Sequence, residues 1–295
     1  MTDTYIPERA MMIYAHPDDV EFSCGATAAL WAKHGCENIY VVITDGNVGS
    51  HEEDMTTDKL IETRRKEQRA AGEVAGAKEC IFLGYHDGLL EPTLELRKQL
   101  VRLVRTYRPN VVVCGDPTQF FPNENRINHP DHRAAGTAAI DAVFPAAEMN
   151  LLYPDLEAEG LKGHKVNYVY ISNPRQEPNY FVDISETIDV KIEALRQHVS
   201  QLGEWELEEP MKNWGAEIGK KVGFKYAERF FRIMLKDPNE AAETAEAEAA
   251  AAETKETDEA SKAAEAEMPE AAESSEEAGD RAEAELANVA EGTNE

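Results

Sequence analysis

A chain of 295 residues with 42% apolar content is long enough for one large domain, or two small ones, around a sizeable core. Its formal charge of −27 argues against nucleic acid as a partner, because phosphate binding needs a basic patch. No stretch approaches the ~20 apolar residues of a bilayer span. The N-terminal MTDTYIPERA has neither the basic start nor the apolar centre of a secretory signal, so a cytoplasmic location is expected.

In chain order, residues 11–15 read as a short buried strand. Residues 25–34 have the Ala/Leu/Trp content of a packed helix, ended by Gly35. NIYVVIT (38–44) is a second, β-branched strand, followed by the polar loop DGNVGSHEED and a helix over 57–75. ECIFLG (79–84) is strand three, 94–107 an amphipathic helix and NVVVCG (110–115) strand four. A long polar stretch over 116–128 leads into a helix beginning near Pro130, where proline is pre-organised for the first turn. KVNYVYIS and NYFVDIS read as two more strands, 188–202 as a helix, and the rest to about Lys236 as irregular. Strands that alternate with helices and read as continuous apolar runs predict a Rossmann-like, doubly wound α/β domain: a mostly parallel sheet with helices on both faces.

The end of the chain differs in kind. From Pro238 to Glu295 there are 19 acidic residues against three basic ones, so −16 of the −27 lies there and −11 in residues 1–237. This segment is almost all Ala, Glu, Ser, Thr and Lys and cannot bury enough apolar surface to offset its ordering entropy. The expected organisation is therefore a folded body over 1–237 and a disordered acidic tail over 238–295. Deleting Pro238 to Glu295 is expected to leave the melting temperature and kcat nearly unchanged; a large fall in either would show that the tail docks.

Doubly wound sheets bind ligands beyond the carboxyl ends of their strands. The polar residues gather there: His16, Asp18 and Asp19 after the first strand, Asp45 and Asn47 after the second, His86 and Asp87 after the third, Asp116 after the fourth. The motifs of other common chemistries are missing. There is no GxGxxG after the first strand, no GxxxxGK[ST] and no GxSxG, and HEEDM at His51 has Met55 where a second zinc-binding histidine would stand. The four cysteines, Cys24, Cys36, Cys80 and Cys114, form no CxxC pair and read as buried free thiols.

Two clusters remain, AHPDD (15–19) and NHPDHRAAG (128–136). Taken singly, each histidine or aspartate reads as an ordinary loop residue, as do His34, His51 and His164. Taken together at one sheet edge, they suggest a metal site, with His16, Asp19 and His132 able to supply three ligands and leave a position for water. Asp18 and His129 then stand beside the ligands, one for accepting a proton and one for stabilising charge.

AHPDD together with HPDH resembles the signature of the LmbE/PIG-L family of metal-dependent N-deacetylases. ITDGNVGS, RRKEQRAAG, LGYHDG and VDISETIDVKIEALRQHVSQ fall where that family has comparable segments, so the resemblance spans roughly 10–202. It implies hydrolysis of the acetyl amide of an N-acetylglucosamine-type sugar conjugate. His16, Asp19 and His132 would bind the metal, usually zinc with iron(II) as the other option, and Asp18 would be the general base. His129 would polarise the carbonyl or protonate the leaving amine, and Asp131 would tune His129 through a hydrogen bond. Arg64, Asp87 and, by a looser match, Arg126 align with positions that contact the sugar in some members. Ile127 stands where the mycothiol-pathway enzyme has tyrosine, and Val20 precedes Glu21 where glutamate often follows AHPDD directly. Two alternatives stay open: an amidase acting on a larger thiol-sugar conjugate, and a non-catalytic member that binds a partner. Self-association to a homo-oligomer is also left open.

Overall fold

The computed structural model describes residues 4–238. β1 (Arg9–Tyr14), β2 (Glu37–Thr44), β3 (Ala77–Tyr85), β4 (Val111–Gly115) and β5 (Tyr168–Ser172) form a parallel sheet. Between them run α1 (Asp19–Lys33), α2 (Thr57–Ala75), α3 (Leu94–Tyr107), α4 (Pro130–Asp141) and the short α5 (Pro154–Ala158). Then come β6 (Tyr180–Asp183), α6 (Ile188–Arg196), α7 (Val199–Leu202), α8 (Glu208–Gly219) and β7 (Ala227–Met234). The strand order is β3-β2-β1-β4-β5-β7-β6, with β7 antiparallel to both neighbours.

Successive strand residues point to opposite faces, so the apolar runs of β1, β2 and β4 supply two cores at once. Met11, Ile13, Ile39, Val41 and Val112 pack with Leu96, Leu100 and Val104 of α3 and the alanines of α4. Met12, Tyr14, Tyr40, Val111 and Val113 pack on the other side with Trp31 of α1, Ile188 and Ile192 of α6 and Met211 of α8. Each buried aliphatic or aromatic side chain contributes roughly 1.5–3 kcal/mol. The helix starts are set locally: Thr56 Oγ1 accepts from Lys59 N at α2, and Thr93 Oγ1 from Leu96 N at α3. Gly76 ends α2 at φ 75°, and the cap amides of α2 bond back to Glu73 and Gly72.

The sheet, its parallel core and the helices on both faces agree with the reading of the sequence. Three details differ. The first helix starts at Asp19, six residues before Gly25, and is broken at Cys24 (φ −150°, ψ 19°). The helix expected over 188–202 is two helices separated at Gln197–His198. The stretch after Leu202 is not irregular, since it contains α8 and β7, and β7 inserts between β5 and β6. The boundary after Asp237 and the acidic tail lie at and beyond the end of the described residues. All four cysteines are free, and Cys24, Cys36 and Cys114 are buried.

The break in α1 frees backbone groups that a buried ion pair takes up. Glu228 of β7 accepts from the backbone of Thr27 at 2.8 Å and of Ala26 at 3.3 Å. Lys191 of α6 donates to Phe22 O at 2.9 Å and to Glu228 Oε1 at 2.6 Å. Glu228→Ala strips Lys191 of its carboxylate in a site only 7% exposed and leaves both amides unpaired. A loss of roughly 3 kcal/mol in unfolding free energy is expected, read by urea titration.

Candidate active site

The strand order reverses at β1, whose neighbours are β2 and β4, and the crevice beyond such a reversal is where doubly wound folds take ligands. His16 to Asp19 leave the end of β1, and His129 to His132 open α4 on the chain that follows β4. His129 caps that helix and Pro130 begins its first turn, so His132 faces back toward the end of β1. Gly136, one turn further, lets α4 sit against β4: a Cβ there would stand 2.5 Å from Gly115 O. Gly136→Ala should therefore push α4 outward and cost roughly 1–3 kcal/mol. The same shift should weaken metal retention in a chelator titration, because His132 moves with the helix.

The ligating atoms of His16, Asp19 and His132 lie within 4.8 Å of one another. His16 Nδ1 stands 3.2 Å from His132 Nε2 and 3.4 Å from Asp19 Oδ2, and His132 Nε2 is 3.1 Å from Asp19 Oδ1. The outer ring nitrogens are already engaged. His16 Nε2 meets Asp87 Oδ1 at 3.0 Å and Asp131 Oδ2 at 3.3 Å, and His132 Nδ1 meets Asn128 Oδ1 at 3.1 Å. With the ring hydrogens donated outward to these acceptors, the two inner nitrogens carry lone pairs that face each other beside a carboxylate. Such a set is repulsive until a cation sits between the donors, and outward-bonded imidazoles are the usual support of metal-binding histidines. The residues therefore fit a divalent metal ion, and two nitrogens with one oxygen suit zinc or iron(II).

The surrounding carboxylates favour positive charge at this point, whether borne by the imidazoles or by a metal ion. The His16 imidazole is raised to about 12: burial acts downward, and hydrogen bonds to Asp131, Asp19 and Asp87 outweigh it. His132 is also raised, with burial opposed by Asp19. Against burial, the two histidines hold Asp19 well below the usual carboxylate range. A second group of donors, His16, Asp87, His129 and Asp131, also converges. Its carboxylates are turned onto His16, which leaves them as partners of that ring. Asp131 is fully buried, and its carboxylate accepts from the amides of Gly88 at 2.7 Å and Leu90 at 3.2 Å as well as facing His16. This group supports His16.

Asp18 adopts a left-handed backbone, φ 93° and ψ −25°, at the cap of α1. That conformation costs a non-glycine residue roughly 1–3 kcal/mol and persists only where the surroundings impose it. Burial, and after it the charge of Asp19, pushes the Asp18 carboxyl up to about 7 against the pull of Arg64. His129 presents its ring edge to His16, with centroids 4.7 Å apart, and its side chain is 40% exposed. Its Nδ1 accepts from the Asp131 amide at 3.2 Å, which leaves Nε2 as the hydrogen-bearing atom of the neutral ring. Burial, and then the charge of His16, hold His129 below the ordinary imidazole value.

Several expected roles meet a different geometry. The Asp131 carboxylate does not hydrogen-bond His129, since its nearest approach to Nδ1 is 3.9 Å; the contact is made by the Asp131 amide, and the carboxylate turns to His16. Arg64 is only 4% exposed, and its guanidinium donates to Pro17 O at 2.7 Å, Gly46 O at 3.1 Å and Asp18 Oδ2 at 3.2 Å. It braces the loops after β1 and β2 from inside. Asp87 is likewise turned inward to His16, and Arg126 lies exposed on the loop before α4. Asn128, Gln68 and His198 were given no role from the sequence, and Glu21 was noted only by its place after AHPDD. Asn128 immediately precedes HPDH and Glu21 closely follows AHPDD, so both were legible by position; Gln68 and His198 are buried polar residues within a helix and at a helix break, with no spacing signal of their own.

A diacetylchitobiose deacetylase from Thermococcus kodakarensis is 36% identical over 224 residues, 75% of this chain and 81% of that protein. The chain belongs to the PIG-L family. The family's model, described as GlcNAc-PI de-N-acetylase, matches residues 11–143, which include every residue of both His/Asp clusters. A PIG-L member is a hydrolase of carbon–nitrogen bonds other than peptide bonds, and this chain is a deacetylase of that class. The solved N,N'-diacetylchitobiose deacetylase of Pyrococcus horikoshii is 31% identical, with a TM-score of 0.71 over 77% of this chain and 84% of that one. A probable N-acetyl-α-D-glucosaminyl L-malate deacetylase 2 of Bacillus anthracis is 25% identical over 78% of this chain and 97% of its own length. No helix among the described residues is long and apolar enough to cross a membrane.

Proposed function

We propose that the protein removes the acetyl group from an N-acetylglucosamine-type sugar, with His16, Asp19 and His132 holding a zinc ion and Asp18 acting as general base. The observation that carries this reading is the convergence of three ligating atoms beside an aspartate that is not among them. A metal ion held there supplies Lewis acidity toward water and toward an amide carbonyl. Asp18 takes the proton of the attacking water, and its neighbour Asp19 stays committed to the ligand set. His129, open to solvent and carrying its hydrogen on Nε2, donates a hydrogen bond to the amide oxygen as negative charge develops there, and the proton taken up by Asp18 passes to the departing nitrogen. Asp87 and Asp131 keep the His16 ring oriented through Nε2. Arg64 belongs with these supports rather than with the sugar, since its side chain is buried and both Nη1 and Nη2 donate within the protein.

The relatives' substrates favour an amino sugar carrying an N-acetyl group. The test joins elemental analysis of the purified protein with an acetate-release screen on N-acetylglucosamine, N,N'-diacetylchitobiose, N-acetylglucosaminyl malate and a bulky thiol-sugar amide. Stoichiometric zinc or iron and acetate release from the small N-acetylglucosaminides are expected. Preference for the bulky amide would move the reading to an amidase, and turnover by metal-free protein would overturn it.

A further inference from the structure

Three side chains that no step above uses meet beneath Asp18. The Asp18 amide donates to Gln68 Oε1 at 2.8 Å, and Gln68 Nε2 donates to Glu21 Oε1 at 2.8 Å. Glu21 Oε2 in turn lies 3.3 Å from His198 Nε2. All three residues are fully buried, and they come from α1, α2 and the break between α6 and α7. The break is itself fastened to α2, because Ser200 N donates to Glu67 Oε1 at 2.8 Å.

Stability does not account for this chain of polar groups, because a buried carboxylate and imidazole are costly to desolvate and well-packed apolar residues usually serve as well or better. The direction of its bonds points to its end. A carboxylate offers acceptors only, so Glu21 must receive the Gln68 NH2, which turns the Gln68 carbonyl toward the Asp18 amide. His198 Nδ1 has no partner among the described residues, so the ring's one polar contact is Nε2 to Glu21. The chain thus terminates on the Asp18 peptide group, whose residue is left-handed. That conformation divides adjacent aspartates, sending the Asp19 carboxylate to the ligand set while Asp18 Oδ2 meets Arg64.

We propose that Glu21, Gln68 and His198 are positioning residues for Asp18, holding its peptide in the left-handed turn that aims its carboxylate as a base. They touch neither metal ligand nor substrate, so their effect falls on kcat. The proposal rests on Asp18 being the base.

The test uses the full-length, metal-loaded enzyme with N,N'-diacetylchitobiose. Gln68→Met keeps length and volume but presents no acceptor to the Asp18 amide. It should lower kcat by ~10- to 100-fold, the scale of a misplaced catalytic group, with KM within about twofold and metal content unchanged. In an Asp18→Asn background the same change should cost nothing further, because the residue it positions is already disabled. His198→Gln keeps a donor at the Nε2 position and should retain most of kcat, whereas His198→Leu should not. Normal kcat in Gln68→Met, or a full additional loss in the Asp18→Asn background, overturns the proposal while leaving the base assignment intact. Normal turnover by Asp18→Asn removes the base assignment and the relay with it. Should Gln68→Met not accumulate as soluble protein, equal kcat in His198→Gln and His198→Leu is the overturning result.

Discussion

Asp18→Asn is expected to bind metal at full stoichiometry and to turn over ~10²–10⁴ more slowly, the range for loss of a positioned general base. The expectation follows from adjacent carboxylates with separate commitments. Both Asp19 oxygens lie close to the ligand nitrogens, at 3.1 and 3.4 Å, whereas Asp18 Oδ2 faces the Arg64 guanidinium at 3.2 Å. Asparagine preserves shape and can still accept from Arg64, so the turn should survive. Elemental analysis beside steady-state kinetics separates the two functions. A metal-free Asp18→Asn protein would make Asp18 a ligand, and a metal-loaded one with normal kcat would pass the base role to another group.

The complementary set, His16→Ala, Asp19→Ala and His132→Ala, should each lose the metal and with it measurable deacetylation. The three should differ in the metal-free protein. The His132 side chain is 30% exposed, and its removal gives up partly solvated contacts to Asp19 and Asn128 while relieving crowding against His16. His16 stands among Asp19, Asp87 and Asp131, and its removal leaves the fully buried Asp131 carboxylate without its imidazole. Melting of the chelated proteins should therefore fall clearly for His16→Ala and little for His132→Ala. Retention of stoichiometric metal by any of the three, measured after dialysis, removes that residue from the ligand set.

What could be read ahead of the structure was whatever repeats or sits at a strand end. Continuous apolar runs predicted β1 to β5, and the polar residues after them marked the edge where His16, Asp19 and His132 meet. Three kinds of feature stayed hidden. The break at Cys24 depends on Glu228 and Lys191, which are remote in sequence and complete the backbone of α1 only in three dimensions. β7 follows a loop-like, polar stretch, and its neighbours are decided by packing rather than periodicity. The inward orientation of Arg64 and Asp87 was equally invisible, because an exposed sugar contact and a buried brace have the same residue type at the same spacing.

The insertion of β7 between β5 and β6 also sets the order in which the chain can become complete. Among the described residues, β6 is hydrogen-bonded to no strand but β7, and the carboxylate that closes the break in α1 is carried by β7 as well. During synthesis every proposed metal ligand is therefore available well before Ala227, yet the first helix of the domain and one sheet edge wait for the last strand. Long-range pairings of this kind are slow, because loop closure must precede the contacts that reward it. In the interval Tyr180 and Val182, core residues of the finished domain, lack their β7 partners Phe230 and Glu228. A nascent chain that carries both His/Asp clusters but not yet β7 therefore has an unpaired, apolar strand at its edge, the kind of surface chaperones cover.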